Sequence, residues 1–147
     1  VRLYKAYLVT CTGYDTDENG NVTCVHATYD SATFGGDAPD GRKVRGTIHW
    51  VSAKENTPLT ARIYDRLFNV ENPDDSGVNS FEENLNPDSL TEKQGYGEVA
   101  LATAKAGDRF QFMRDGYFCM DKDSAPGAPV FNRTVALRDS FNIKKNK

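Results

Sequence analysis

Metal-binding and redox signatures are what this sequence has least of. Its 147 residues contain 3 Cys, at positions 11, 24 and 119, and 2 His, His26 and His49, with no Cys-x-x-Cys pair. No zinc signature can be written from that set. The expectation is therefore of no bound metal and of cysteines that are buried, reduced and cytosolic. Long apolar runs are missing, and no signal-peptide pattern opens the chain, so no membrane-spanning helix is expected and the protein is placed in the cytoplasm. Positive charge is not in excess: 18 Lys and Arg face 21 Asp and Glu, a net charge of -3, with a pI near 5.4. That excludes non-specific coating of nucleic acid, which needs a dense positive surface. It leaves room for RNA reading by a few placed residues.

Catalytic signatures are missing as well. There is no G-x-S-x-G elbow, and GGDAPDG has no lysine where a phosphate-binding loop needs one. The adjacent acids Glu82 and Glu83, or Asp74 and Asp75, carry no acid–base signature. His49 lies in TIHWVSAKE, three residues from Ser52. On a strand that spacing sends the two side chains to opposite faces, so a structural histidine in a packed strand is the preferred reading over a hydrolytic base.

What the chain does have is strand pattern. Aromatic residues make up 11%, with 8 Phe and 7 Tyr, in a lean apolar fraction of 38%. VRLYKAYLVT and NVTCVHATYD alternate with period two and flank DENGN, whose Asn-Gly pair marks a tight hairpin. GRKVRGTIHWVS and LTARIYDRLFNV read as a third and a fourth strand, followed by SLTEKQGYGEVAL, DRFQFMRD, GYFCMDKD and PVFNRTVALRD. NSFEENLNPDSL is the one helical candidate, capped by Asn79 or Ser80 and closed by Pro87. Many short strands separated by turns predict an all-β barrel or sandwich, one ordinary domain or two small ones. The chain starts inside a strand pattern, at Val1. It is therefore expected to be a fragment, or to be ordered late, with barrels that lack strands and expose edges.

Two polar clusters have a functional and a bland reading. DTDENG matches the front of a calcium loop, but its twelfth position is His26 rather than Glu and its flanks are strands, so a hairpin turn is preferred. Arg42, Lys43 and Arg45 in GRKVRG could contact phosphates or line a solvated strand face, and the two readings are balanced.

The stretch FQFMRDGYFC, Phe110 to Cys119, is the informative one. Phe110 and Phe112 should face one side, with Gln111 and Met113 on the other. Asp115-Gly116 signals a turn or glycine bulge that re-aims Arg114. Gln111 and Arg114 would then form a small hydrogen-bonding head on a rigid aromatic base. Such a head suits an unpaired uracil, which offers one N–H donor and two carbonyl acceptors. By strand pattern alone, polar residues on a half-exposed strand remain the default.

DGRKVRGTIHWVSA, RIYDRLFNVENP, KQGYGE, FQFMRDGYFC and PVFNRTVALRDS occur in this order and near these spacings in one family. From Val1 to about Phe141 the chain resembles the C-terminal anticodon-binding region of bacterial glutaminyl-tRNA synthetases. The glutamyl-tRNA synthetases of archaea and eukaryotes share that architecture and are the rival within the class; a β-barrel interaction module without RNA and a small hydrolase using His49 are rivals outside it.

The resemblance implies two antiparallel β-barrels in tandem. Residues 1–68 would be most of a distal barrel and residues 69–147 the returning part of a proximal one. It implies that the whole enzyme joins glutamine to its tRNA with ATP and magnesium, through a catalytic domain upstream. No HIGH-type or KMSKS-type motif is present here. It implies that Gln111 and Arg114 read the middle anticodon base, a uridine, and that Arg2 lies near the first. Two positions on, relatives carry a second arginine where this chain has Tyr4. Tyrosine can stack or donate one hydrogen bond but cannot form a charged fork, so that contact is not carried over. Third-base readers lie upstream of Val1 in the family. The local positive surface would be Arg2, Lys5, Arg42, Lys43, Arg45 and Arg114, with Arg138 as a further candidate. Arg133 and Arg138 are better read as pairing with neighbouring acids such as Asp139.

Overall fold

The computed structural model describes residues 1–73 and 80–137. It is all-β: nine strands and two 3₁₀ turns, with no α-helix among the described residues. The chain divides into two compact units, Val1–Trp50 and Val51–Lys147. Among the described residues each carries one open sheet, and neither sheet closes into a barrel.

In the first unit, strands β1 (Arg2–Leu3), β2 (Leu8–Thr16), β3 (Val22–Asp30) and β4 (Thr47–Ile48) make a sheet in the order β3-β2-β1-β4. The single strand expected over the first ten residues is two strands. Leu3 N–H donates to the Tyr7 carbonyl and Ala6 N–H to that of Leu3, both at 2.9 Å. Lys5 turns the chain at φ 55. The DENGN hairpin forms as expected: Asp17 N–H donates to the Asn21 carbonyl at 2.9 Å, and Gly20 takes φ 80. Only Thr47–Ile48 of the expected third strand pairs, because its neighbour β1 offers just Arg2 and Leu3. His49 is exposed just beyond it, which corrects the packed-strand reading of that residue.

This unit buries little. Ala6, Leu8, Thr33 and Ala38 are its buried residues, while Tyr14, Val22 and Val25 along the hairpin are exposed. Thr33 bridges the interior: its hydroxyl donates to the Asp30 carbonyl at 2.7 Å and accepts from Leu8 N–H at 2.9 Å. Beyond Val9, β2 and β3 pair only with each other and both faces meet solvent. Cys11 and Cys24 are therefore exposed and Cys119 is half-buried. All three are free thiols, but none is buried as expected.

The second unit holds strands β5 (Asn56–Tyr64), β6 (Leu90–Glu98), β7 (Arg109–Phe112), β8 (Gly116–Met120) and β9 (Val130–Val135), in the order β6-β5-β9-β8-β7. Strand β5 thus pairs in this unit, and the division between units falls at Trp50, earlier than the boundary near Phe68 that the resemblance implied. The β5–β9 pair is parallel and the others antiparallel.

The core is Leu59, Leu101, Phe118 and Phe131, with Phe110, Phe112, Ile63 and Met120 packed against it. Phe131 is fully buried. Phe112 stacks on Phe118 at 4.4 Å between ring centroids and meets Phe131 edge-on at 5.2 Å. The helical candidate is a turn instead. Ser80 and Glu83 exchange capping hydrogen bonds of 2.8 and 3.3 Å, as a helix start requires. Propagation stops because Asn69 N–H takes the Asn84 carbonyl at 2.9 Å and Leu67 receives Asn86 N–H at 2.8 Å. The alternative cap Asn79 lies outside the described residues.

Candidate nucleic-acid interface

The burial of β7 alternates: Arg109 exposed, Phe110 half-buried, Gln111 exposed, Phe112 half-buried. The two phenylalanines seat the strand on Phe131 and Phe118. That anchoring turns the Gln111 amide to the outer face. Met113 lies past the strand end and is half-buried, so it does not share that face as expected.

The β7–β8 connection is residues 113–115, closed by Asp115 N–H donating to the Phe112 carbonyl at 3.0 Å. Here the expectation is corrected in detail. The residue in the left-handed region is Arg114 itself, φ 70, while Gly116 takes φ 141 at the start of β8. A non-glycine residue at positive φ is held there at a cost of about 1–3 kcal/mol, a device that recurs at functional sites. Gln111 and Arg114 are thus both exposed on one short hairpin, three residues apart.

The hairpin register adds residues that the sequence did not single out. Gln111 pairs with Tyr117 and Arg109 with Cys119. Opposed residues of an antiparallel pair share a face, so Arg109, Gln111 and Tyr117 form one outer strip. Tyr117 is 46% exposed, which leaves its ring open to stacking. Only the pairing register reveals this strip; β8 read alone gives Tyr117 no special place. In hydrogen-bonding terms the hairpin offers an amide that both donates and accepts, guanidinium donors and an aromatic ring.

Other basic residues divide by what they touch. Arg2, in the first unit, is mostly covered: its guanidinium donates to the Gly36 carbonyl and to Asp37 Oδ1 at 3.1 Å. Arg42 binds Asp40 at 3.0 Å and Asp30, so the densest basic cluster loses one cation to its own acids. Lys43 and Arg45 are exposed in irregular chain and make no ion pair among the described residues. Lys5 lies 5.6 Å from the Tyr4 ring centroid. Arg133 is half-buried. Arg138 and Asp139 lie outside the described residues.

Arg62 is neutralised by Glu92 at 2.9 Å, Asp123 at 3.4 Å and Asp121 at 3.5 Å. Its pKa is raised, first by the hydrogen bond to Glu92. Asp121 is held below the ordinary carboxylate value, first by the Asp123 backbone N–H and then by the Asn132 amide. This group ties β5, β6 and β9 together at one end and offers no unpaired charge to a phosphate.

The β7–β8 hairpin thus presents amide, guanidinium and aromatic groups from a strand seated on phenylalanines. The family of tRNA synthetases class I (E and Q), anti-codon binding domain, matches residues 47–121. The chain belongs to that family. It is 50% identical over 142 residues to the glutamine–tRNA ligase of Aliivibrio salmonicida. To the glutamine–tRNA ligases of Vibrio cholerae serotype O1 and Escherichia coli O7:K1 it is 51% and 49% identical, again over 142 residues. Each alignment covers 96% of this chain and 25% of the relative, so the chain spans a quarter of the length of the relatives it matches.

Proposed function

We propose that this chain reads the anticodon of glutamine tRNA within an enzyme that ligates glutamine to that tRNA, with ATP and magnesium used by a catalytic domain upstream in the same polypeptide. The carrying observation is the β7–β8 hairpin, with Gln111 on a strand seated on Phe118 and Phe131 and Arg114 in the turn that follows it. Gln111 Oε1 accepts from uracil N3–H and its amide N–H₂ donates to one uracil carbonyl, while Arg114 donates to the other carbonyl or to a phosphate. The Tyr117 ring, directly across from Gln111, supplies a stacking surface. The base is a splayed anticodon uridine, whose unpaired Watson–Crick edge is open to Gln111 and whose face is free to stack on the Tyr117 ring.

In the same reading, Arg2 lies near the first anticodon base, released from Asp37 when RNA arrives. Tyr4 replaces a guanidinium contact with stacking or one hydrogen bond. The two open sheets, one in each compact unit, are portions of tandem β-barrels completed by further strands. Such an enzyme works in the cytoplasm.

The test is substitution at the hairpin. Gln111→Ala and Arg114→Ala should each cost about 1–3 kcal/mol in discrimination for a middle uridine, the scale of a good base contact. Competition binding with anticodon stem-loops reads this directly. Equal weakening for every middle base would overturn the reading and make both residues sequence-blind phosphate contacts.

A further inference from the structure

We propose that Asp15, Cys24 and His26 form a three-ligand site for a zinc-class divalent metal ion on the β2–β3 hairpin. Sequence spacing gave no hint of it, because one ligand lies on one strand and two on the other. Pairing across the hairpin assembles them: Asp15 lies opposite Cys24, and His26, two residues beyond Cys24 on the same face, lies opposite Gly13.

Glycine at position 13 matters to this geometry. A Cβ there would stand 3.9 Å from His26 Cδ2, and any longer side chain would compete for the space over which the imidazole lies. With that space clear, His26 Nε2 reaches to 2.9 Å from Asp15 Oδ2. One carboxylate oxygen, one imidazole nitrogen and the Cys24 sulfur all fall within 4.8 Å of one another. Around a tetrahedral zinc ion, bonds of about 2.0–2.3 Å place ligand atoms roughly 3.3–3.8 Å apart. Small side-chain rotations on an exposed surface close the difference.

The donor set selects the metal. Calcium and magnesium take oxygen ligands, whereas thiolate with imidazole favours zinc and its neighbours in the first transition row. The calcium-like DTDENG stretch does not compete: the Asp17 carboxylate is occupied by Asn19 N–H at 2.9 Å, Asn21 N–H at 2.8 Å and the Asn21 amide at 3.0 Å. With three protein ligands, the fourth position goes to water or to an external donor. Bound there, the ion ties β2 to β3 between the register shifts at Cys11/Gly13 and Asp15/Thr16. It fixes the pairing where the hairpin has no packed face to do so.

Cobalt(II) titration of the reduced chain tests this, since a thiolate ligand gives a sulfur-to-cobalt charge-transfer band that oxygen and nitrogen ligands do not. The expected result is one equivalent bound at micromolar chain concentration, with that band present and displaced by zinc. Cys24→Ser should abolish the band. His26→Ala and Asp15→Ala should weaken binding at least tenfold, and Cys11→Ser should leave both band and stoichiometry unchanged. All three ligands are exposed, so these substitutions open no cavity, and circular dichroism checks the fold. Binding without the band, binding of several weak equivalents, or a band that survives Cys24→Ser would overturn the proposal.

Discussion

Gly116→Ala is the substitution that most directly couples the fold to the proposed reading head. Gly116 starts β8, two residues after Arg114, at φ +141. An added Cβ would lie 2.6 Å from the Val135 carbonyl oxygen, a backbone atom, and 3.2 Å from Arg133 Cδ. The arginine can yield, but the carbonyl moves only with β9. Gly107 is the control: it too has positive φ, +91, but its Cβ would meet nothing within 4 Å. Gly107→Ala therefore incurs only the backbone cost, about 1–2 kcal/mol. Gly116→Ala incurs a backbone cost of about 1–3 kcal/mol plus an overpacking cost of similar size, about 2–6 kcal/mol together. The entropy gained by stiffening the unfolded chain is common to both and cancels. Urea unfolding followed by circular dichroism should place Gly116→Ala about 1–4 kcal/mol below Gly107→Ala. At concentrations where both remain folded, only Gly116→Ala should lose stem-loop affinity, because β8 must shift and carry the Arg114 turn with it. Equal stabilities for the two variants would refute the steric reasoning.

Phe131→Ala should destabilise the second unit by about 3–5 kcal/mol, the cost of emptying a fully buried aromatic site, as read by urea unfolding; a loss below 1 kcal/mol would mean that Phe110, Phe112 and Phe118 repack without it. Asp17 titrates below its ordinary value of 3.8, first through the Asn21 side-chain hydrogen bond. Its folded pKa is depressed, so its contribution to the hairpin is fully present above the unfolded pKa and is lost as pH falls through the lower folded value. Carboxyl titration by NMR should give Asp17 a lower midpoint than an unpaired aspartate, and protection of the Asn19 and Asn21 amides should fall in parallel; a midpoint at or above 3.8 would contradict the turn geometry.

Where the sequence could be read, local chemistry and tertiary structure agreed. Asn19-Gly20 announced its hairpin because positive φ is cheap at glycine, and the strands expected in NVTCVHATYD and PVFNRTVALRD formed over Val22–Asp30 and Val130–Val135. The turn at Lys5 was hidden because no glycine, proline or asparagine marks it and the alternation runs straight through. The helix at Ser80 failed although its capping signal was present, since backbone bonds from Asn69 and to Leu67 claimed the groups a second turn would need. Strand closure was not legible at all: periodicity says which face is buried but not whether a sheet's edges meet. At the site, Gln111 and Arg114 stood out through resemblance and through polar residues on an aromatic strand. Arg109, Tyr117 and the Asp15–Cys24–His26 group required knowledge of which residues face each other across a hairpin, which no one-dimensional spacing contains.

The central claim is that this chain reads a base and does not merely hold a backbone. It is tested most directly by the affinity of the chain for a glutamine-tRNA anticodon stem-loop and for the same loop with its middle uridine replaced, each at low and at physiological salt. Phosphate contacts weaken together as counterions return, whereas base contacts keep their difference. The account predicts discrimination of about tenfold or more for uridine, the scale of a good base contact, at both salt concentrations. Equal affinities for the two loops, falling together as salt rises, would contradict it.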